Sequence, residues 1–492
     1  MSCAIHAERR PLGLRVSWPV IANYSLAEGS ARSGVKYHCR NGNGKGGIQE
    51  IIMRNPAQPS TSILHSRLRA AALALALICE LTMVITRPAQ AQTLAVLHDF
   101  TSGGDGSFPT AGLTLDSAGN FYGTTAAGGY ASVNCLYGCG TVFKLTRKHS
   151  SWVLTPIYSF TGGNDGTTPD ARVLFGPDGL LYGTTTGDSS LGGTGSATAF
   201  RVSLATTPCK TALCRGEETV LYRFTGSMDG SGPGWGDLAF DQAGNLYGTT
   251  SDGGSNGHGS VYELTPSDGS WTETILYSFT GGGDGSQPES GVIFDQAGNL
   301  YGTTLFGGAG ARGTVFQLTP SGSGWTEKVL HSFGSSGSGP YGGLIFDPSG
   351  NLYGTTQTAD MGQGNGTVFM LTPSGGDWTL TTLYRFPPGF TYPYARLTMD
   401  AAGSLYGTTS YFFGPASYLG GQGSEGSVFK LAFSNGSWNY NDLHDFDGGH
   451  DGGGPFGSVI LDPNGNVYGT GTSGGTVLYC SGGCGVVWEI TP

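Results

Sequence analysis

Apolar and polar residues alternate in short runs throughout the chain after residue 110, a pattern typical of β-strands. The clearest example is residues 291–304, which read Gly-Val-Ile-Phe-Asp-Gln-Ala-Gly-Asn-Leu-Tyr-Gly-Thr-Thr. Residues 292–294 form an apolar run, 295–299 carry turn-forming side chains, and 300–304 are rich in residues that favour strands. The stretch therefore predicts a β-hairpin.

The Tyr-Gly-Thr core of this hairpin recurs at intervals of 52 to 65 residues. Two more strand-like segments follow the hairpin, as at 313–319 and 325–333, with a turn at 320–324 between them. Four strands per repeat and seven repeats predict an all-β fold, a seven-bladed β-propeller with four antiparallel strands in each blade. The signature tyrosines are Tyr122, Tyr182, Tyr247, Tyr301, Tyr353, Tyr406 and Tyr468.

Both ends of the repeat array are incomplete. Residues 93–100 are a lone copy of the strand that elsewhere ends a repeat, and the chain finishes after the third strand of the last repeat, at 485–491. We therefore predict that the N-terminal strand completes the seventh blade and closes the ring, which removes exposed strand edges. With strands numbered first to fourth outward from the axis, the fourth-to-first and second-to-third loops share one face. That face is the expected ligand-binding face.

The residues before the repeats form two predicted segments. An apolar run at 70–85 follows two arginines and precedes a small-residue cleavage motif, so residues 53–91 are predicted to be a secretory signal peptide. A membrane anchor is the alternative, but Glu80 interrupts the run. Residues 1–52 are polar and basic, and we expect them to be a mis-assigned or disordered leader. The propeller is then predicted to span residues 92–492.

The cysteines outside the leader occur in close pairs within loop insertions. This arrangement favours local disulfides in an oxidising compartment. Zinc is the alternative, although no histidine or second pair at matching spacing accompanies them. The pairs are Cys135 with Cys139, Cys209 with Cys214, and Cys480 with Cys484.

Charge narrows the class of partner. The whole chain has a net charge of −11, and the first 91 residues carry 11 Lys and Arg against 4 Asp and Glu, so the remainder is at −18. Such a surface repels nucleic acid and anionic lipid. We therefore expect no nucleic-acid partner, no membrane insertion after signal cleavage, and a monomer open to cations, glycans or protein partners.

A glycine turn with one aspartate, Thr-Gly-Gly-x-Asp-Gly, recurs in the fourth-to-first loops, and the fifth and sixth repeats lack it. Each aspartate is expected either to cap its own turn or to bind ligand, as part of a divalent-cation or sugar-hydroxyl site. Calcium is the candidate cofactor, at Asp284 and Asp451. The aspartates are Asp105, Asp165, Asp229, Asp284 and Asp451.

Aromatic residues are concentrated in loops of the same face. They are expected either to pack beneath the glycine-rich backbone or to form a platform that stacks on sugar rings or a partner chain. The second-to-third loops contribute Phe412 among others, and Tyr392, Tyr394 and Phe412 are the candidate ligand-binding residues. The fourth-to-first loops contribute Trp235, Tyr341, Phe390, Tyr392, Tyr394 and Phe456.

No motif of nucleophilic, phosphate-binding or zinc-dependent catalysis is present in the sequence. His450, beside Asp451, is the best acid–base candidate, and a ring aspartate such as Asp284 could supply one of the paired carboxylates that glycoside cleavage requires. We assign no catalytic residue and favour a protein that is not an enzyme.

The recurring unit resembles the bacterial GloVer (Gloeobacter/Verrucomicrobia) tandem repeat over nearly all of residues 94–492. Three segments carry the resemblance: Leu-Tyr-Ser-Phe-Thr-Gly-Gly-Gly-Asp-Gly from residue 276, the hairpin at 291–304, and Gly-Thr-Val-Phe-Gln-Leu-Thr-Pro from residue 313. The first three strands are also similar to NHL-type propeller repeats. The resemblance implies an exported or surface-anchored repeat protein and no established reaction.

Together these observations predict a secreted binding or adhesion scaffold for an extracellular glycan or protein, located outside the cell or in the cell envelope, including the periplasm. A glycan-active hydrolase or lyase with carboxylates at the propeller mouth is one alternative. A purely structural protein of the cell envelope is the other. Fold alone does not choose among them.

Overall fold

The computed structural model describes residues 92–187, 196–204, 216–233, 235–322, 324–359, 366–387, 391–411, 425–477, 480 and 482–491. All of them lie in Pro88–Pro492, one of two units into which the chain divides, the other being Met1–Arg87. The predicted leader and signal peptide lie outside the described residues, as do Cys209, Cys214, Phe390 and Phe412.

The described residues form seven antiparallel sheets, each with one strand of every type in the repeat. From the first blade to the seventh, the first strands are Thr114–Leu115, Leu174–Phe175, Ala239–Phe240, Ile293–Phe294, Ile345–Phe346, Thr398–Met399 and Ile460–Leu461. The second strands are Phe121–Thr125, Leu181–Thr185, Leu246–Thr250, Leu300–Thr304, Leu352–Thr356, Leu405–Tyr411 and Val467–Gly471.

The third strands are Thr141–Lys148, Ala197–Val202, Ser260–Ser267, Thr314–Ser321, Thr367–Ser374, Ser427–Ser434 and Val486–Thr491. The fourth strands are Ser151–Ser159, Glu218–Phe224, Ser270–Ser278, Gly324–Ser332, Asp377–Arg385, Ser437–Asp445 and, for the seventh blade, Thr93–Asp99. The sixth blade has one addition, the two-residue strand Thr391–Tyr392, which pairs with the end of Leu405–Tyr411.

The ring closes as predicted. Thr93–Asp99 pairs antiparallel with Val486–Thr491, from Thr93 opposite Thr491 to Asp99 opposite Val486. The seven-bladed propeller and its closure by the N-terminal strand are therefore confirmed. None of the described residues forms a helix that is long and apolar enough to span a membrane.

A network of hydrogen bonds fixes the hairpin that defines the repeat. Asp295 Oδ1 accepts from the N–H groups of Ala297 and Asn299, at 2.8 and 2.9 Å. Its Oδ2 accepts from the Tyr301 hydroxyl at 3.0 Å. Gly302 follows because a Cβ there would lie 2.5 Å from the Phe316 ring on the next strand. The Tyr-Gly pair therefore serves packing, since the tyrosine hydroxyl binds the turn aspartate and the glycine leaves room for the phenylalanine ring of the next strand.

Apolar side chains fill the spaces between neighbouring blades. One buried cluster joins Tyr247 and Phe279 of the third blade to Val292, Leu300 and Phe316 of the fourth. A cluster of the same kind lies at each of the other blade contacts, including that of the seventh blade with the first. The rigid ring holds the loops at its axis in place.

Candidate functional site

A cavity of about 80 Å³ lies at the axis of the propeller, and every blade contributes to its wall. The lining residues come from the segment just before each first strand, so the cavity opens among the fourth-to-first loops. A volume of this size holds several water molecules, because one water needs roughly 10–15 Å³. The cavity therefore suits one edge of a sugar ring or a small polar group.

Two residues from each repeat build the wall, separated by one small residue. A proline directly precedes the first of them in six repeats and stands one residue earlier in the third. We call the first set the proline-side ring and the second the strand-side ring. The proline-side ring, from the first blade to the seventh, is Thr110, Asp170, Trp235, Glu289, Tyr341, Tyr394 and Phe456. The strand-side ring is Gly112, Arg172, Asp237, Gly291, Gly343, Arg396 and Ser458.

Contacts between blades hold these residues in position. The signature threonine of one blade donates to the small residue of the next, as Thr249 does to the Ser290 carbonyl at 2.9 Å. The proline packs on a glycine of the preceding blade, where φ is positive and a side chain would clash. A Cβ on Gly140 would lie 2.5 Å from Cδ of Pro169. The repeated framework thus holds each ring position in place without dictating which residue type occupies it.

Four aromatic rings of the proline-side ring form a continuous arc. The centroids of Trp235 and Tyr341 lie 6.3 Å apart, those of Tyr341 and Tyr394 5.4 Å, and those of Tyr394 and Phe456 5.5 Å. Tyr392 contacts Tyr394 at 6.3 Å, so one candidate residue supports the other. The Gln357 side-chain amide donates to the Tyr394 hydroxyl at 2.9 Å. The predicted aromatic surface therefore lies at the axis and extends over four blades.

An ion cluster of the strand-side ring spans the axis. Asp237 of the third blade accepts from Arg172 of the second at 2.7 Å and lies 3.6 Å from Arg396 of the sixth. Burial raises the pKa of Asp237, but the two guanidinium groups together hold it below its usual value. Only 22% of the Asp237 side-chain surface is exposed. The cluster offers guanidinium donors to a ligand in the cavity.

The carboxyl groups of the proline-side ring lie in a different electrostatic setting. Burial, and then the negative charge of Asp252, raises the pKa of Glu289 to about 7. Asp170 accepts from the Thr110 hydroxyl at 2.9 Å. Burial, followed by the charges of Glu289 and Asp170, raises the pKa of Tyr341 well above its usual value. These two acids therefore act on the same tyrosine.

The loop aspartates predicted from the sequence lie elsewhere, each as the cap of its own glycine turn. Asp284 Oδ1 accepts from the Thr280 hydroxyl at 2.5 Å, and its Oδ2 accepts from the Thr280 N–H at 2.7 Å and the Tyr277 hydroxyl at 3.0 Å. Similar bonds surround Asp165 and Asp229. Because these partners include the fourth, outermost strand, the turns stand away from the axial cavity.

Histidines replace the tyrosine at the two remaining turns. His98 contacts Asp105 at 3.2 Å, and His444 contacts Asp451 at 2.8 Å. His450 lies apart from the axis, in a depression lined by glycines of two loops of the seventh blade. No described group of three or more His, Cys, Asp or Glu residues is arranged to hold a metal ion. The structure therefore does not bring the predicted aspartates together, and their ligand-binding role stays a prediction.

Two of the predicted disulfides are present, Cys135–Cys139 and Cys480–Cys484, with Cα atoms 5.4 and 5.1 Å apart. Both pin loops next to third strands, as expected from their place in the insertions. Such bonds fit a protein of an extracellular or periplasmic compartment.

The charged residues of the cavity were missed by the sequence reading. The predicted site residues were aspartates that recur from repeat to repeat. The charged cavity residues do not recur, because other repeats carry different residues at the positions of Arg172, Asp237, Glu289 and Arg396. A usable signal was present. The position after the proline changes from repeat to repeat while its neighbours stay small or apolar, which is typical of a variable site on a fixed frame.

Residues 236–412 match the family model of the Gloeobacter/Verrucomicrobia repeat. The third to fifth blades are Gloeobacter/Verrucomicrobia repeats. The match begins just before the first strand of the third blade and ends beyond the second strand of the sixth. The same hairpin recurs in the blades on both sides of the matched segment. No curated protein matches the chain in sequence.

Several solved structures are similar to the chain at low identity. A fungal alcohol oxidase in complex with copper shares 12% identity, over 82% of this chain and 77% of that one, with a TM-score of 0.49. The periplasmic gluconolactonase of Pseudomonas aeruginosa shares 15% identity, over 77% of this chain and 98% of that one, with a TM-score of 0.46. PorZ, a surface component of the type-IX secretion system of Porphyromonas gingivalis, shares 14% identity, over 77% of this chain and 46% of that one, with a TM-score of 0.44. We draw no functional conclusion from these likenesses.

Proposed function

We propose that this chain is an exported binding propeller whose axial cavity receives a sugar of an extracellular glycan. The observation that carries the proposal is the arc of four aromatic rings in a cavity that also holds guanidinium and carboxyl groups. The C–H faces of a sugar stack on aromatic rings, and its hydroxyls both donate to carboxylates and accept from guanidinium groups. Export is supported by the two disulfides.

Glycan retention tests the proposal. Residues 92–492, produced through an oxidising compartment, are incubated with a polysaccharide panel, with and without calcium, while pull-down and released sugar ends are recorded together. Calcium is included because Asp284 and Asp451 are the carboxylates expected to hold it. We expect retention without release. Retention of a protein in place of any glycan would favour the protein-binding form of the scaffold.

Variants locate the binding surface. The double substitution Tyr341→Ala and Tyr394→Ala removes the centre of the aromatic arc and should weaken retention at least tenfold, about 1.4 kcal/mol. Tyr137→Ala is the control, because this tyrosine is 77% exposed and does not line the cavity. Full retention by the double variant would refute binding at the axis. Loss of retention in the Tyr137 variant would place the surface elsewhere.

A glycan-active hydrolase is the second candidate, favoured by one observation. Glu289, with a pKa of about 7, shares the cavity with the carboxyl groups of Asp170 and Asp237. A carboxyl that is partly protonated near neutral pH is suited to act as a general acid toward a glycosidic oxygen. Release of sugar ends that is abolished by Glu289→Gln would establish this function. Absence of both retention and release across the panel would favour a structural role in the cell envelope.

A further inference from the structure

We infer that the axial cavity selects a sugar bearing a free amino group, with its ammonium bound at Glu289 in the part of the wall that Trp235 and Tyr341 share with it. The inference rests on the proposed function and names the chemical class of its ligand. It is carried by the order of the proline-side ring, in which the blade that supplies Glu289 stands between the blades that supply the two aromatic residues.

The two aromatic rings meet across the blade that supplies Glu289. Trp235 comes from the third blade, Glu289 from the fourth and Tyr341 from the fifth. The ring centroids of Trp235 and Tyr341 nevertheless lie only 6.3 Å apart, in an edge-to-face arrangement. All three side chains line the same cavity. A ligand group that reaches the carboxyl of Glu289 must therefore pass against an aromatic ring.

Within the described part of the chain, nothing neutralises Glu289. No described residue donates a hydrogen bond to it, and the one charge that acts on it strongly is the carboxylate of Asp252. The cavity arginines are engaged with Asp237 instead. The cavity thus has a basic part, in which two guanidinium groups share the carboxylate of Asp237, and an acidic part, in which no described cation pairs with Glu289.

An ammonium group matches this acidic part. Ionised carboxyl groups are costly to bury without a partner, and a cation removes that cost while gaining attraction from the faces of Trp and Tyr rings. Asp170 adds negative potential, since it acts together with Glu289 on Tyr341. A sugar with an anionic group would be repelled here, and a neutral sugar would leave the carboxyl unpaired.

Two trisaccharides that differ at the nitrogen test the inference. Fully de-N-acetylated chitotriose carries ammonium groups, whereas its N-acetylated counterpart is neutral and of similar shape. Calorimetric titration of residues 92–492 at pH 7 should give at least tenfold tighter binding of the amino form. Glu289→Gln should remove most of that preference and leave the affinity for the acetylated form within twofold. Glu217→Gln, at an exposed glutamate of the second blade, should leave both affinities unchanged.

The outcomes separate the inference from the function on which it rests. Equal affinities of the wild-type chain for both trisaccharides, or tighter binding of the acetylated form, would overturn the amino-sugar inference while a retained glycan leaves the binding function standing. Loss of retention across the whole panel would overturn both. An unchanged preference in Glu289→Gln would also overturn the inference. The wild-type comparison decides even where a variant fails to fold.

Discussion

Five of the seven contacts between neighbouring blades have one of two arrangements around a loop aspartate. At the contacts of the first blade with the second, the second with the third and the third with the fourth, a tyrosine donates to a loop aspartate and a glutamate of the next blade lies close to that aspartate. At the contacts of the sixth with the seventh and the seventh with the first, histidine replaces tyrosine and leucine replaces glutamate. The first group is Tyr158–Asp165–Glu218, Tyr222–Asp229–Glu273 and Tyr277–Asp284–Glu327. The second group is His444–Asp451–Leu94 and His98–Asp105–Leu154.

The glutamate contacts hold two carboxyl groups close together. Burial, and then the charge of the neighbouring aspartate, raises the pKa of Glu218, Glu273 and Glu327 to about 7. In each of the three, Oε1 is buried without a hydrogen-bond partner. Near neutral pH these glutamates therefore change from protonated to ionised while a second negative charge stands beside them.

The leucine contacts lack that glutamate. At the contact of the sixth blade with the seventh, Asp447 takes the place of the turn threonine, and burial together with Asp447 raises the pKa of Asp451. Leu94 and Leu154 occupy the glutamate position, four residues before His98 and Tyr158 of their strands, and pack in apolar clusters between blades. The aspartate there pairs with an imidazole within hydrogen-bond distance. One backbone unit thus supports two kinds of contact, and the difference teaches that a repeat can differ in pH response from blade to blade without differing in fold.

Converting one kind of contact into the other should have the largest effect. Leu154→Glu places a carboxyl beside the His98–Asp105 pair and removes a leucine that packs against the apolar cluster containing Phe121 and Leu145. We expect a loss of about 4 kcal/mol in the free energy of unfolding at pH 7, measured by urea denaturation. Leu154→Met should cost less than about 1.5 kcal/mol. A Leu154→Glu variant within about 1 kcal/mol of wild type would show that the position tolerates either residue.

The pH dependence of stability should sharpen the comparison next. Because the folded pKa of about 7 exceeds the ordinary glutamate value of 4.5, the fold favours the protonated glutamates, so their contribution is complete below pH 4.5 and lost as pH rises through 7. Allowing for partial exposure, the loss is on the order of 1 kcal/mol per glutamate. Substituting all three by Gln should flatten the fall between pH 5 and 8 by about 3 kcal/mol. Glu217→Gln should not, and an unchanged slope in the triple variant would refute the assignment.

Removing a single hydroxyl should have a smaller effect. Tyr277→Phe deletes the donor to Asp284, and we expect a loss of about 1 kcal/mol in unfolding free energy at neutral pH. Tyr384→Phe is the matched control, because Tyr384 holds the same strand position but its loop has no such aspartate, and its ring keeps the stacking on Tyr440 at 4.6 Å. Equal losses in the two variants would mean that the bond to Asp284 adds nothing.

The smallest effect should come from introducing leucine at one of the glutamate contacts. Glu273→Leu removes one member of the carboxyl pair with Asp229 while keeping an inter-blade side chain of similar length. At pH 8 we expect a gain of roughly 0.5 kcal/mol, and at pH 5 no gain, since the glutamate is then protonated. Differential scanning calorimetry at the two pH values measures the difference. A gain of the same size at both would trace the effect to packing alone.

Much of the fold could be predicted from residues alone. The seven tyrosines of the signature fixed the number of blades, and the lone strand at 93–99 predicted the closure, because a repeat array reports its own geometry through its period. The close cysteine pairs likewise needed no distant partner. The spacing of residues in the sequence was sufficient in each of these cases, since the interacting groups lie within one repeat or at the two ends of the repeat array.

The axial site could be predicted only in part. The aromatic residues Tyr341, Tyr394 and Phe456 were found because their type is conspicuous in glycine-rich loops, but their convergence depends on the ring as a whole. Arg172 and Arg396 lie four blades apart in chain order and meet through Asp237. No local pattern joins residues at such separations. The loop aspartates misdirected attention because they recur, and recurrence here marks the framework.

The pairing of the first strand with the last also sets the order in which the molecule can be assembled. In each of the first six blades the four strands are consecutive in the chain, so each can form from a contiguous segment. Thr93–Asp99 is made first, yet its partner Val486–Thr491 is made almost last. A chain that emerges from a ribosome or a translocation channel must therefore carry this strand unpaired until the last strand of the propeller arrives. Completion of the ring reports that all the strands of the propeller have been delivered.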